Sequence, residues 1–172
     1  MRENNKDQFR ILFVCTGNTC RSPMAEGILK KMLKDNGIET VQVSSAGIYS
    51  LENVPASPFA IQAARLRNVD LSSHRSRQLS QKLVEETDLL LVMSQEHIEY
   101  IKRADPKAQD KTYLLKVFPQ LPPRSNEDQD PGVLFIKDPI GCSLEDYDCS
   151  FLEIKKEIKR IFPEILNLMT KR

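Results

Sequence analysis

The sequence lacks an excess of charge of either sign: 25 lysines and arginines stand against 24 aspartates and glutamates, a formal net charge of +1. Binding nucleic acid or a membrane surface through general electrostatics needs a strong basic excess, so both partners are disfavoured. No apolar run approaches the about 18 residues of a membrane helix, and the polar segment Met1–Gln8 does not resemble a signal peptide. We therefore expect a cytoplasmic protein that contacts neither nucleic acid nor membrane.

Cysteine is scarce, with four residues in the chain. In a reducing compartment, catalysis or metal binding explains such cysteines better than a disulfide framework does. The pairs Cys15/Cys20 and Cys142/Cys149 are too widely spaced for the Cys-x2-4-Cys pattern of zinc sites, so we expect neither a metal nor another cofactor. His97 has the acidic neighbours Glu96 and Glu99 on a predicted helix and no second histidine one helical turn away, so we expect it to be a surface residue rather than a metal ligand.

A length of 172 residues with 40% hydrophobic and 28% charged side chains is typical of one globular domain, 1–172, in which residues 1–8 are expected to form a disordered tail. Strand and helix patterns alternate, which predicts a doubly wound parallel sheet. Short apolar runs predict strands at Phe9–Val14, Val41–Ser45, Asp88–Met93 and Thr112–Val117. Periodic segments predict helices from Pro23 to Asn36, over Ser57–Asn68 and Ser94–Arg103, and over Glu145–Met169, which Pro163 should kink or split. The proline-rich stretch Pro119–Gly132 should be a loop.

The segment CTGNTCRS, from Cys15 to Ser22, lies between the first predicted strand and the first predicted helix. Ligands bind at this carboxyl edge of open α/β sheets, where a tight turn aims backbone N–H groups at one point beside a helix N-terminus. Arg21 adds a planar fork that can hold two oxygens of a phosphate. The same donors favour a thiolate, so we expect Cys15 to have a lowered pKa and to face a bound phosphorus as nucleophile.

The longer run ILFVCTGNTCRSPMAEGIL resembles the signature of the low-molecular-weight protein tyrosine phosphatases. The resemblance continues through SSAG (Ser44–Gly47), SSHRSRQLS (Ser72–Ser80), VMS (Val92–Ser94) and DP (Asp138-Pro139). It implies an α/β fold with a four-stranded parallel twisted sheet flanked by helices on both faces, in a Rossmann-like three-layer arrangement. It also implies a metal-free phosphatase that works through a cysteinyl-phosphate intermediate.

By this resemblance Cys15 is the nucleophile, Arg21 the phosphate clamp and Asp138 the general acid. The phosphate-binding residues it implies are Thr16, Gly17, Asn18, Thr19, Cys20, Arg21 and Ser22. Asn18 would also brace the loop, Ser22 would hydrogen-bond the thiolate, and Ser45 and His74 would support the loop.

Two further Asp-Pro pairs, Asp105-Pro106 and Asp130-Pro131, compete with Asp138-Pro139 for the role of acid. Both lie in charged or proline-rich sequence, where turn formation is the simpler explanation. Asp138-Pro139 alone follows an extended apolar segment, Val133–Ile136, and precedes the final helix, which favours Asp138.

Ile140 and Gly141 follow Asp138-Pro139 where phosphotyrosine-specific members commonly carry aromatic residues, and Thr19 stands where many of them place a larger aliphatic side chain. These differences resemble the bacterial protein-arginine-phosphatase branch. We therefore expect phosphorylated protein substrates, with phosphoarginine favoured over phosphotyrosine, inorganic phosphate as product, and a monomeric enzyme.

Two alternatives belong to other classes. A thiol-dependent arsenate reductase would need relay cysteines, and the chain has none between Cys20 and Cys142. A catalytically idle phosphate-binding redox module would have no need for the proton donor Asp138. Cys20 is expected to form a reversible disulfide with Cys15 under oxidation, because a neighbouring thiol can capture a sulfenic acid.

Overall fold

Four parallel strands form one sheet in the computed structural model, which describes residues 8–120 and 134–171. The strands are β1 (Phe9–Cys15), β2 (Val41–Gly47), β3 (Leu89–Val92) and β4 (Thr112–Leu114), in the spatial order β2-β1-β3-β4. All three neighbouring pairs are parallel. The predicted four-stranded α/β architecture is confirmed.

Helices connect the strands and close the chain. They are α1 (Arg21–Asp35), α2 (Pro58–Arg65), α3 (Gln81–Glu85), α4 (Gln95–Ala104) and α5 (Leu144–Thr170), with a 3-10 helix over Pro106–Lys111. The sequence did not predict α3, because a helix of five residues is too short to show the helical period.

Helix α5 continues through Pro163, so of the two predicted effects, a kink or a split, the split is wrong. Buried isoleucines at 161 and 165 lie on either side of the proline and keep both parts of the helix against the same core. Packing of an amphipathic face, which decides most helix stability in proteins, therefore outweighs the backbone hydrogen bond that the proline removes.

The sheet is buried on both faces, since alternate residues of β1 enter two separate cores. Ile11 and Phe13 lie in the core formed with α1, α2 and α5, while Leu12 and Val14 lie in the core that includes side chains of α3 and α4. All four are at most 1% exposed, and the burial of each such side chain contributes about 1.5–3 kcal/mol to the stability of the fold. Helices on both faces give the expected three layers.

Strand β1 lies in the middle, with β2 on one side and β3 on the other. The chain therefore reverses its direction across the sheet between β2 and β3, and a crevice opens at the carboxyl ends of β1 and β3. Cys15 is the last residue of β1 and sits at this crevice. The first helix starts earlier than predicted, at Arg21 with Cys20 as its N-cap, and Ser22 lies inside it.

Several sequence expectations fall outside the described residues. These are the tail except for Gln8, the candidate acid Asp130, and most of the Pro119–Gly132 loop. In residues 8–120 and 134–171, none of the helices combines the length and the hydropathy needed to cross a membrane.

Candidate active site

Residues 15–22 form a loop, called the cradle loop below, and hydrogen bonds from other parts of the chain to its carbonyl groups hold it in place. Each carbonyl oxygen of residues 15–19 accepts a hydrogen bond from a donor outside the loop. In chain order the donors are Ile48 N (3.0 Å), Tyr49 N (2.9 Å), Ser50 Oγ (3.1 Å), His74 Nε2 (2.8 Å) and Ser57 N (2.8 Å). Since the C=O and N–H of a planar trans peptide point in opposite directions, the N–H groups of residues 16–20 turn to the inner side of the loop.

Asn18 fixes the sharpest part of this turn. It is fully buried and has a φ of 55°, a left-handed conformation that asparagine tolerates better than most residues. Its Nδ2 donates to Ser22 Oγ and to Ser45 Oγ, both at 2.9 Å, and its Oδ1 accepts from Arg77 N at 3.0 Å. Ser45 Oγ in turn donates to Glu26 Oε2 at 2.5 Å. The structure thus brings Ser45 and His74 to the outer side of the cradle loop, where support was expected.

Gly47, at the end of β2, permits the close approach of this strand to the cradle loop. A Cβ atom built there would lie 2.6 Å from Thr16 O and 2.9 Å from Asn18 N. Both are backbone atoms that the hydrogen bonds above hold in place. Position 47 therefore requires glycine for the loop to keep its shape.

The thiol of Cys15 lies at the base of the cradle loop, 2% exposed, with its Sγ 2.9 Å from Ser22 Oγ. Burial raises the pKa of Cys15, while the Arg21 charge, the Ser22 hydroxyl and the backbone N–H groups of Ser22 and Asn18 act in the opposite direction. Burial prevails, so the expected lowering of the pKa is wrong for this conformation. The physical reason is that burial removes water from the sulfur, and this desolvation of the charged form outweighs the charge of Arg21 and the hydrogen bonds that favour the thiolate.

Arg21 is 5% exposed and uses its two terminal nitrogens on three partners. Nη2 lies 2.5 Å from Asp138 Oδ2 and 3.3 Å from Thr16 Oγ1, and Nη1 donates to Ile136 O at 3.1 Å. Its buried Nε has no hydrogen-bond partner among the described residues. A buried donor without a hydrogen bond costs free energy, and an oxyanion bound at the cradle loop would accept the missing bond.

Asp138 reaches the cradle loop from a segment that is tied to the end of β3. Ile136 N donates to Met93 O at 2.9 Å, and Asp138 Oδ1 accepts from Ile140 N at 3.1 Å. The Asp138 side chain is 37% exposed, so it has access to solvent. Asp105 instead accepts from Lys107 N at 3.0 Å and caps the 3-10 helix, at the opposite edge of the sheet. Of these two aspartates, Asp138 alone lies at Arg21.

His97 is fully buried, and its expected place on the surface is wrong. It is the third residue of α4, where its Nδ1 accepts from Ser94 N at 3.1 Å, and its Nε2 lies 3.0 Å from Thr16 Oγ1. Burial, and to a lesser extent the Arg21 charge, lowers the pKa of His97 to about 3. One signal in the sequence could have revealed this position. Ser94 was predicted to start the helix, and His97, three residues later, can accept a hydrogen bond from the Ser94 N–H as in a capping box.

Cys20 packs behind the cradle loop, with its Sγ 3.2 Å from Tyr147 Oη and 3.5 Å from Ser57 Oγ. Burial and the contact with Cys20 raise the pKa of Tyr147 to about 12. The sequence analysis missed Tyr147, because nothing local distinguishes it from the other buried residues of α5.

The two remaining cysteines lie outside the cradle loop. Cys142 is half-buried and follows Asp138 by four residues, whereas Cys149 is exposed on α5. Within the described ranges, no group of three His, Cys, Asp or Glu side chains could hold a metal ion.

A thiol at the end of a central strand, beneath backbone donors and next to an arginine, provides the groups that phosphoryl transfer through a cysteine nucleophile needs. Residues 10–171 match the family model for low molecular weight phosphotyrosine protein phosphatase, and the chain belongs to this family. The resemblance seen in the motifs is confirmed. The protein is therefore a hydrolase that acts on phosphorylated proteins.

Similar proteins match over most of their length. The protein-arginine-phosphatase of Bacillus subtilis is 33% identical over 155 residues, 90% of this chain and 95% of the relative. The protein-arginine-phosphatase of Geobacillus stearothermophilus is 36% identical over 153 residues, 89% and 93% of the two chains. The crystal structure of a low molecular weight protein tyrosine phosphatase from T. tengcongensis has a TM-score of 0.80 at 33% identity, covering 91% of this chain and 99% of that one.

Proposed function

We propose that this protein removes phosphoryl groups from arginine side chains of proteins, with Cys15 as nucleophile, Arg21 as phosphate clamp and Asp138 as acid and base. The observation that carries the proposal is the orientation of the cradle loop. Its carbonyls at 15–19 are held outward, so the N–H groups of residues 16–20 face the space next to the Cys15 thiol. A transferring phosphoryl group spreads charge over three equatorial oxygens, which these donors and Arg21 stabilise.

In the first step, the Cys15 thiolate forms a bond to phosphorus while the bond from phosphorus to the leaving nitrogen breaks. Before the attack, Arg21 exchanges its contact with Asp138 for the phosphoryl oxygens, and the Asp138 carboxylate takes up, through solvent, the proton that the Cys15 thiol loses. Asp138 then donates this proton to the leaving guanidine nitrogen. Ser22 Oγ, 2.9 Å from Sγ, stabilises the thiolate before attack.

In the second step, water attacks phosphorus and Asp138 accepts its proton. The bond between sulfur and phosphorus breaks, inorganic phosphate leaves, and the Cys15 thiolate is regenerated. The solvent access of the Asp138 side chain, which is 37% exposed, supports this exchange of protons with water.

The preference for phosphoarginine is supported by the residues at the entrance to the cradle loop. Ile140 is 66% exposed and Gly141 has a φ of 73°, so no ring follows Asp138-Pro139 to stack on a phosphotyrosine. Such stacking is worth about 0.5–1.5 kcal/mol beyond the area it buries. Thr19 presents a short polar side chain on the loop, and both curated relatives above bear the name protein-arginine-phosphatase.

The test is a comparison of kcat/KM on two peptides of one sequence that carry phosphoarginine or phosphotyrosine at the same position. We expect the higher value for phosphoarginine, and a higher value for phosphotyrosine would refute the substrate assignment.

A second experiment tests the nucleophile. The Cys15→Ser variant should lose turnover, because its hydroxyl does not ionise near neutral pH. Cys149→Ser, which changes an exposed cysteine on α5, is the matched control and should keep full activity. Turnover retained in Cys15→Ser would exclude the covalent mechanism.

We propose that the enzyme acts as a monomer, since Cys15, Arg21 and Asp138 meet within one chain and the proposed reaction needs no residue from a second one. The cytoplasmic location stays a prediction.

A further inference from the structure

We propose that His97 is a positioning residue that holds Arg21 for phosphate binding through the hydroxyl of Thr16. This inference rests on the proposed role of Arg21. The three side chains form a chain of contacts: His97 Nε2 lies 3.0 Å from Thr16 Oγ1, and Arg21 Nη2 donates to the same oxygen at 3.3 Å. His97 is fully buried at the start of α4, so a residue 81 positions away in sequence reaches the cradle loop.

The protonation of His97 follows from its neighbours. His97 Nδ1 lies 3.1 Å from both Ser94 N and Ser94 Oγ. The backbone N–H can only donate, so Nδ1 accepts from it and carries no proton, and the Ser94 hydroxyl can then contact Nδ1 only as a donor. In a neutral imidazole the proton then lies on Nε2, which donates to Thr16 Oγ1. The neutral form agrees with the lowered pKa of His97, since a second cation beside Arg21 in a buried place is disfavoured. The start of α4 therefore selects one tautomer.

The hydroxyl of Thr16 is the point at which this tautomer acts on Arg21. Thr16 Oγ1 has two lone pairs, and donors from His97 and from Arg21 can occupy both. A threonine side chain has few χ1 rotamers, and the bond from His97 stabilises the one in which the oxygen faces the guanidinium.

This matters during the reaction, because Arg21 must part from Asp138 when phosphate binds. The contacts with Thr16 Oγ1 and Ile136 O do not involve Asp138, and they keep the guanidinium plane in place during the exchange.

Two substitutions at one position separate the positioning role from the capping role of His97. In His97→Asn, the side-chain oxygen can take the place of Nδ1 and accept from Ser94 N–H, but the side chain is too short to reach Thr16. In His97→Gln, the longer side chain can bring an N–H donor to the place of Nε2. The asparagine variant thus keeps the cap and loses the contact with Thr16, and the glutamine variant is the matched rescue.

The experiment measures binding of inorganic phosphate by calorimetry, together with kcat and KM, for the full chain and its variants. A hydrogen bond of ordinary strength corresponds to about a three- to tenfold effect, so His97→Asn should bind phosphate about three- to tenfold more weakly and have a lower kcat/KM. His97→Gln should recover most of this loss. Thr16→Val, which removes only the hydroxyl, should weaken phosphate binding by a similar factor, and adding His97→Asn to it should have little further effect.

Three results would overturn the inference. They are additive losses in the double variant, a glutamine variant as impaired as the asparagine variant, and a His97→Asn protein that loses thermal stability but keeps its phosphate affinity. The ¹⁵N shifts of the His97 ring provide a test that does not depend on activity, because a proton on Nδ1 would also exclude the proposed contact. A wild-type protein that binds no inorganic phosphate, with the His97 tautomer as inferred, would instead refute the proposed function.

Discussion

Acid should destabilise this protein through His97. The pKa of His97 is about 3 in the folded chain and 6.5 in the absence of the fold, so between these values the unfolded chain binds a proton that the folded chain does not. Stability is therefore fully present above about pH 6.5 and is lost as the pH falls towards 3. Each pH unit in this window costs about 1.4 kcal/mol, which amounts to about 2 kcal/mol at about pH 5 relative to about pH 7.

The assay is urea unfolding of the wild type and of His97→Asn at about pH 7 and about pH 5. Carboxylates that titrate in this range are common to both proteins, so the difference between their pH dependences isolates His97. With a denaturant slope of about 2 kcal/mol per molar, the urea midpoint of the wild type should fall by about 1 M more than that of the variant. Parallel falls of the two midpoints would show that His97 takes up its proton as readily in the folded chain as in the unfolded one.

Four other substitutions test the site. Arg21→Lys should lower kcat/KM by about two orders of magnitude, because a point charge cannot replace the planar fork, and near-normal activity would mean that phosphate is held elsewhere. Asp138→Asn should slow substrates with poor leaving groups most, by about 10²-fold or more, so equal slowing of all substrates would contradict its role as acid. Thr19→Ile should shift the ratio of kcat/KM values towards phosphotyrosine, and an unchanged ratio would remove Thr19 as a determinant. Cys20→Ser should recover less activity than the wild type when reductant follows peroxide, because a disulfide with Cys15 protects the nucleophile, and equal recovery would show that Cys20 protects nothing.

Local sequence was enough to predict the strand, loop and helix that carry Cys15 and Arg21. The apolar run before Cys15 and the helical spacing after Ser22 are patterns within about a dozen residues, and they gave β1 and α1 nearly at their observed bounds. The start of α1 was predicted too late, because Ser22 has the chemistry of an N-cap. Its hydroxyl contacts the Cys15 sulfur instead.

The same local patterns misjudged residues whose environment comes from distant elements. His97 has polar neighbours in sequence, which indicate a surface, but the topology places the start of α4 beside the carboxyl end of β1 and buries the side chain. Helix α3 has too few residues for a period, and the pKa direction of Cys15 depends on burial that the sequence does not show.

The sequence by itself determined which residues are able to do the chemistry: a cysteine and an arginine, in a strand–loop–helix order that local propensities define, and an aspartate shortly before the final helix. The tertiary structure alone decided how they meet. Asp138 lies 117 residues from Arg21, and the donors that hold the cradle loop come from residues 48–50, 57 and 74. A hydrogen bond depends on position to within a few tenths of an ångström, and for partners this far apart in the chain only the packing of helices on a parallel sheet supplies that position.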